Sequence, residues 1–280
     1  MITSGRILFL WFFLPAAPAL GQELPSPERA DSNFHIYILM GQSNMAGRGE
    51  ITEKYRGRGH ERLLMLDKNN RWVPAKHPLH FDKPKAAGVG PGLSFGIAMA
   101  KARAGLRIGL VPCAVGGTSI NRWQAGAFDK PTGTRPWDDA VLRIAAAMKA
   151  GTVRGILWHQ GEGDSSPEAA AVWLDKLAAL IGRLREETGN ARLPFVAGEL
   201  GRYRENYGLI NQELARLPEA VPFTSVVSSR GLRHKGDGTH LKSSSASRMG
   251  KRFAKEILAL EAKAASGASR RLKKSLRTIQ

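Results

Sequence analysis

Residues 35–47 read HIYILMGQSNMAG, and the break at Gly41 decides the fold. His35–Met40 is a short apolar run with two isoleucines, the composition of a strand buried on both faces. It passes straight into Gly41-Gln42-Ser43-Asn44-Met45-Ala46-Gly47, where small and polar residues end it. Four further runs have the same character: Arg107–Val115, Gly155–His159, Pro194–Leu200 and Pro222–Val227. Each is short and bounded by Gly, Pro or polar residues. Helical periodicity lies between them. Trp137–Lys149 places Val141, Leu142, Ile144, Ala145 and Met148 close to one face. Ser165-Ser166-Pro167-Glu168 opens a second helix, with Ser165 and Glu168 at capping-box spacing and Pro167 in the first turn. Downstream, Trp173, Leu174, Leu177, Leu180, Ile181 and Leu184 recur at threes and fours. Ser243–Lys263 reads as a last helix with Met249, Phe253, Ile257 and Leu260 on one stripe. Strands alternating with helices predict one α/β domain, a mostly parallel five-stranded sheet covered on both faces.

Gly49–Pro91 departs from this alternation. It is basic, weakly periodic and rich in Pro and His, and only Leu63–Leu66 and Trp72–Val73 look strand-like. Loops of this length in a compact domain are uncommon and often functional. Following the first strand, this one is expected on the carboxyl edge of the sheet, where open α/β folds place their sites.

The chain of 280 residues is 42 % hydrophobic and 24 % charged, enough for a sizeable core and too apolar for wholesale disorder. One Cys excludes an internal disulfide framework and a Cys-rich zinc site. His77 and His80 are three apart, but no third ligand lies near them, so no metal site is expected. The net charge of +18 comes from 42 Lys and Arg against 24 Asp and Glu. Those cations are scattered, without the clustering or motif of a specific nucleic-acid binder. The one dense cluster, Arg270, Arg271, Lys273, Lys274 and Arg277, reads as a solvated tail suited at most to weak contact with acidic polymer or membrane surface.

The N-terminus reads as an address. Arg6 precedes the apolar run Ile7–Leu14, and Ala19-Leu20-Gly21 supplies small residues at the −3 and −1 positions of a cut before Gln22. The run is too short for a hydrocarbon core of ~30 Å, so no transmembrane segment is expected in the mature chain. The expected organisation is a signal peptide over 1–21, a linker over 22–32, one α/β domain over 33–264 and a basic tail over 265–280. A secreted or periplasmic protein follows.

The chemistry gathers where strands end. Ser43 sits at a strand-to-helix turn where a hydroxyl is exposed and a backbone N–H faces the same space, although such a serine is equally a helix cap. Gly116-Gly117-Thr118 ends the second strand, where absent side chains let a backbone N–H approach a ligand. The third strand ends in Trp158-His159-Gln160-Gly161-Glu162-Gly163-Asp164, and the Gln160 amide is a candidate oxyanion donor. His159, facing the other way by alternation, reads as a packed histidine behind the site. Asp237-Gly238-Thr239-His240 puts a carboxylate three residues before a ring, a spacing that serves a catalytic pair or a helix cap. Together these are a nucleophile, oxyanion donors, a base and its orienter.

The Gly41-Gln42-Ser43-Asn44-Met45 block, Pro112–Thr118, His159-Gln160-Gly161-Glu162 and Asp237–His240 resemble the carbohydrate esterases of family six. That family includes acetylxylan esterases and sialate O-acetylesterase domains in the SGNH-hydrolase superfamily. The likeness runs over residues 33–260. It implies a three-layer α/β/α, flavodoxin-like fold, an acetylated carbohydrate substrate and no cofactor. Ser43 is then the nucleophile, His240 the base and Asp237 its orienter. The Ser43 N–H, an N–H of Gly116 or Gly117, and the Gln160 side chain form the oxyanion hole. Gln42, Asn44, Arg122, Trp123 and Glu162 are implied at the substrate or behind the catalytic groups, Glu162 orienting Gln160 or the loop, and Arg122 and Trp123 touching sugar. A non-catalytic sugar-binding relative and an esterase for lipid or aryl esters are the alternatives.

Overall fold

A computed structural model describes residues 30–57 and 59–278. The expected signal peptide and most of the linker lie outside them. The founding strand β1 (Asp31–Gly41) is longer than its apolar run. From Ile36 to Met40 every residue is fully buried, and each large apolar side chain so placed contributes roughly 1.5–3 kcal/mol. Both faces of β1 are covered, so its hydrophobicity is continuous and not alternating. The short helix α1 (Ser43–Ala46) follows at once.

The sheet has seven strands, two more than expected. Beside β1 run β4 (Arg107–Pro112) and β5 (Gly151–His159), then β6 (Phe195–Gly198) and β7 (Thr224–Val227). The additions are β2 (Leu63–Leu66) and β3 (Trp72–Pro74), both inside the segment expected as a long loop. The order is β3-β2-β4-β1-β5-β6-β7, with all neighbours parallel except β2 and β3. Both stretches are the ones that look strand-like in the sequence, and pairing with β4 is what makes Leu63–Leu66 a strand of the main sheet. Its end is held from across the core by Arg143, whose guanidinium donates to the carbonyls of Leu66 and Pro112 at 2.8 and 2.9 Å.

Helices cover both faces. One layer holds α3 (Pro136–Met148), α5 (Trp173–Glu187) and α6 (Tyr207–Ala220), packed on Ile36, Ile38 and Met40. The other holds α2 (Pro91–Ala102) and α7 (Ser243–Thr278), packed on Tyr37 and Leu39. The expected three layers are present, and details differ. The α3 stripe is Trp137, Ala140, Ile144 and Ala147, while Leu142 is 68 % exposed. The 137-140-144-147 spacing keeps to one helical face, which the adjacent pair Val141 and Leu142 could not. The second expected helix is two, α4 (Pro167–Ala171) and α5, broken at Val172. Its cap is Ser166, whose hydroxyl accepts the Ala169 N–H. Ser165 instead donates to the Glu162 carbonyl. The backbone of α7 stays helical to Thr278, through what was expected as a tail. Among the described residues no helix is long and apolar enough to cross a membrane.

β4 and β5 lie on opposite sides of β1. At such a point the connections leave in opposite directions and open a crevice at the carboxyl ends of the strands. The ends of β1, β4 and β5 are the three sequence blocks with chemical promise.

Candidate active site

The turn carrying Ser43 is set by backbone crowding. Gly41 has φ +121°, and a Cβ there would lie 2.2 Å from the His159 carbonyl oxygen. Only glycine lets β1 approach β5 so closely and still bend. The Gln42 N–H then donates to that same carbonyl at 2.9 Å, and Ser43 opens α1 with its N–H among the first-turn amides that have no intrahelical acceptor.

The other partner comes from 197 residues away. His240 Nε2 lies 3.0 Å from Ser43 Oγ, and His240 Nδ1 lies 2.8 Å from Asp237 Oδ2. Partial burial pushes the Asp237 carboxyl up, but the backbone and ring N–H groups of His240 and the Thr239 N–H outweigh it. The carboxyl is therefore held well below the usual carboxylate range, ionised and able to accept from Nδ1–H. That tautomer leaves Nε2 as the acceptor of the serine proton. Ser43 is 6 % exposed. The His240 and Asp237 side chains are 27 % and 36 % exposed, so the site opens on the histidine side. An acid, a ring and a hydroxyl in series are a nucleophile with its base and orienter.

Residues 33–259 match the SASA family model, described as carbohydrate esterase, sialic acid-specific acetylesterase. The chain belongs to this carbohydrate esterase family. A probable carbohydrate esterase of Arabidopsis thaliana is 29 % identical over 264 residues, covering 85 % of this chain and 95 % of the relative. The X-ray structure of that protein superposes with TM-score 0.73 over 82 % of this chain and 99 % of the other. NanS shares the fold at TM-score 0.66 and 17 % identity, covering 86 % and 100 % of the two chains. So does a carbohydrate acetylesterase from Xanthomonas citri, at 0.59 and 18 %, covering 79 % and 55 %.

The remaining candidate residues fall into place unevenly. Gly116 donates its N–H to Asp82 Oδ2 at 2.8 Å, and Arg48 Nη2 lies 2.6 Å from the same oxygen. Both side chains of that ion pair are almost fully buried. Burial raises the Asp82 carboxyl, and the Arg48 guanidinium, with His80 and the Gly116 N–H, brings it below its ordinary value. Gly117 is exposed with φ +87° and its Cβ position is open but for Lys83 Nζ at 3.6 Å. Of the two glycines, Gly117 is the exposed one.

Gln160 is not poised as an oxyanion donor. It is completely buried. Its two amide hydrogens are taken by the Thr118 carbonyl and the Asp164 carboxylate, and its oxygen accepts from Trp173 Nε1. It braces the glycine turn from behind. Trp123 is likewise no sugar contact, being fully buried edge-on against Trp158, centroids 5.3 Å apart. Its neighbour Arg122 remains half-exposed, 3.6 Å from Asp129. Glu162 does not touch Gln160; its Oε1 accepts from Asn44 Nδ2 at 2.5 Å. Gln42 Oε1 accepts the Gly161 N–H at 3.3 Å, tying the ends of β1 and β5. His159 is buried as expected, its Nε2 on the Glu199 carbonyl at 3.1 Å, and burial lowers its pKa. His80, also buried, is lowered to about 4 by desolvation. Among the described residues no group of three His, Cys, Asp or Glu can hold a metal.

Sequence reasoning missed Arg48, Asp82 and Asp164. Nothing local marks them: Asp82 and Asp164 accept the distant Gly116 and Ile120 N–H groups, and Arg48 pairs with Asp82.

Proposed function

We propose that this protein is a secreted carbohydrate O-acetylesterase acting through a serine acyl-enzyme. The single observation that carries this reading is the hydrogen-bonded series Asp237–His240–Ser43 at the mouth of the strand-end crevice. His240 takes the Ser43 proton as the hydroxyl attacks an acetyl carbonyl. The Ser43 and Gly117 N–H groups hold the developing oxyanion. The protonated ring passes its proton to the leaving sugar oxygen, which departs as the alcohol. Water then repeats the sequence on the acetyl-serine, releasing acetate and restoring Ser43. Asp237, ionised throughout, stabilises the imidazolium formed twice per cycle.

Family membership supports an acetylated saccharide as substrate. Acetylated xylan and O-acetylated sialic acid are the two classes to separate. A cavity of about 390 Å³ beside the histidine loop is bordered by Lys235, Lys242 and Glu50, with Lys235 3.8 Å from Asp237, so Lys242 is the cation there that favours an anionic sugar. The wider basic surface supports weak attraction to acidic polymer, screened by salt. The apolar run Ile7–Leu14 and the small residues before Gln22 support export, with cleavage after Gly21.

The test is acetate release by residues 22–280 beside the Ser43→Ala variant, on acetylated xylan, O-acetylated sialic acid and a long-chain acyl ester. Serine-dependent release from one acetylated sugar names the substrate. Release from the long-chain ester alone overturns the carbohydrate reading. Turnover on O-acetylated sialic acid that falls between low and high salt supports the basic surface as a contributor, and a flat salt response removes it.

A further inference from the structure

The hydrogen bonds of Asn44 reach beyond what a nucleophile's neighbour requires. Its Nδ2 donates to Glu162 Oε1 at 2.5 Å and to the Thr239 carbonyl at 3.0 Å, and its Oδ1 accepts the Leu241 N–H at 2.9 Å. Thr239 and Leu241 flank His240, so one side chain grips the peptides on both sides of the ring. The loop is also held from within, by Arg204, and by Tyr203, whose hydroxyl donates to the same Thr239 carbonyl at 3.5 Å and whose ring packs edge-on against His234. Asp237 Oδ1 accepts the N–H groups of Thr239 and His240, His234 Nδ1 accepts those of Gly236 and Gly238, and Arg204 donates to the Gly238 carbonyl. Among the described residues, only Ser43 and Asn44 join the serine turn to the histidine loop through a side-chain hydrogen bond.

An asparagine amide offers donors on one side and an acceptor on the other, and turning it over exchanges them. Here the turned form would set Oδ1 against the Thr239 carbonyl and Nδ2 against the Leu241 N–H. Those two backbone groups already select the observed form, and Glu162 reinforces it. Its side chain is 4 % exposed and its carboxylate only accepts, so it demands the amide nitrogen. A buried carboxylate left without that donor would be costly.

We propose that Asn44 is a positioning residue that holds His240 Nε2 at the Ser43 hydroxyl, and that Glu162 acts through it by anchoring its amide nitrogen. The proposal rests on the serine-esterase reading above. Small displacements of a reacting group cost on the order of 10²-fold in rate, whereas substrate binding is left to other residues. Asn44→Ala is therefore expected to lower kcat on 4-nitrophenyl acetate by about 10²-fold with KM little changed. Hydrogen exchange at the Leu241 amide should quicken in the same variant, as its acceptor is gone. Glu162→Ala should give a smaller loss of kcat, and in the Asn44→Ala background almost none, because residues acting as one unit are not additive. Asn44→Asp keeps the volume and the Leu241 acceptor but sets a carboxylate against Glu162. Its activity should be low and partly rescued by adding Glu162→Gln, whose amide donates. This rescue decides the matter if Asn44→Ala does not fold.

Wild-type kcat in Asn44→Ala overturns the proposal, as do losses that multiply in the double variant or a failed rescue in folded protein. Ser43→Ala in the same assay keeps the two readings apart. If it still turns over, the serine-esterase reading fails. If it is inactive while Asn44→Ala is unimpaired, only the positioning role fails.

Discussion

The two halves of the site are held by different physics. The serine half is packed: Gly41 and Gln42 lock onto the His159 carbonyl, α1 is buried throughout, and Ser43 cannot move without moving β1 and β5. The histidine half is an exposed loop with two positive-φ glycines, Gly236 and Gly238, shaped by hydrogen bonds. A nucleophile must be held rigidly at one point, and burial between strands does that. The histidine side is open to solvent, and hydrogen bonds instead of packing set its place. The cost is that the loop depends on a few polar contacts, whereas the turn depends on close packing.

The largest test of this contrast is chemical. Ser43→Ala should lower turnover by about 10⁶-fold while leaving thermal unfolding close to wild type, since only a hydroxyl is lost from a packed turn. Asp237→Asn should cost on the order of 10⁴-fold by disfavouring the Nδ1–H tautomer, again with the sheet intact by circular dichroism. A small effect there would mean that the loop holds His240 without its carboxylate. Gly41→Ala attacks the other half. The added Cβ meets backbone at 2.2 Å in a conformation with φ +121°, so a clear loss of folded protein is expected, several kcal/mol by analogy with overpacking and strain. Near-wild-type stability would show the turn to be softer than its geometry implies.

The subtlest test uses pH. Asp237 is held below its ordinary value, so its contribution to stability is present above the unfolded carboxylate value of about 3.9 and is lost as pH falls through the lower folded value. The stability gap between wild type and Asp237→Asn should be constant near neutrality and close on acidification below about pH 4. A gap that persists in acid would assign the loop's order to something other than this carboxylate.

Much of this was legible in the residues. The strand ending at Gly41, the glycine block, the amide-bearing strand end and the Asp-x-x-His spacing lie at strand ends or in the loop that reaches them. They were legible because each is local: a buried strand needs continuous apolar residues, a sharp turn needs glycine, and an Asp three before a His meets its ring without help from elsewhere. β2 was half legible, a four-residue apolar run whose strand character required β4 beside it. Trp123 and Gln160 were misread for a common reason. Whether a tryptophan meets sugar or Trp158, and whether an amide meets an oxyanion or Asp164, is decided by neighbours distant in the chain.

By itself, then, the amino-acid sequence determined the α/β alternation, the strand ends as the place of chemistry, and the residue types for acyl transfer. Only the tertiary structure decided that Ser43 and His240, 197 positions apart, come within 3.0 Å. It also decided that Gly116 serves Asp82 while Gly117 stays open, and that Asn44 bridges the two halves. Periodicity and turn chemistry are written within a few residues. The partner of a polar group depends on which distant backbone the sheet brings beside it, and that follows from packing the whole chain.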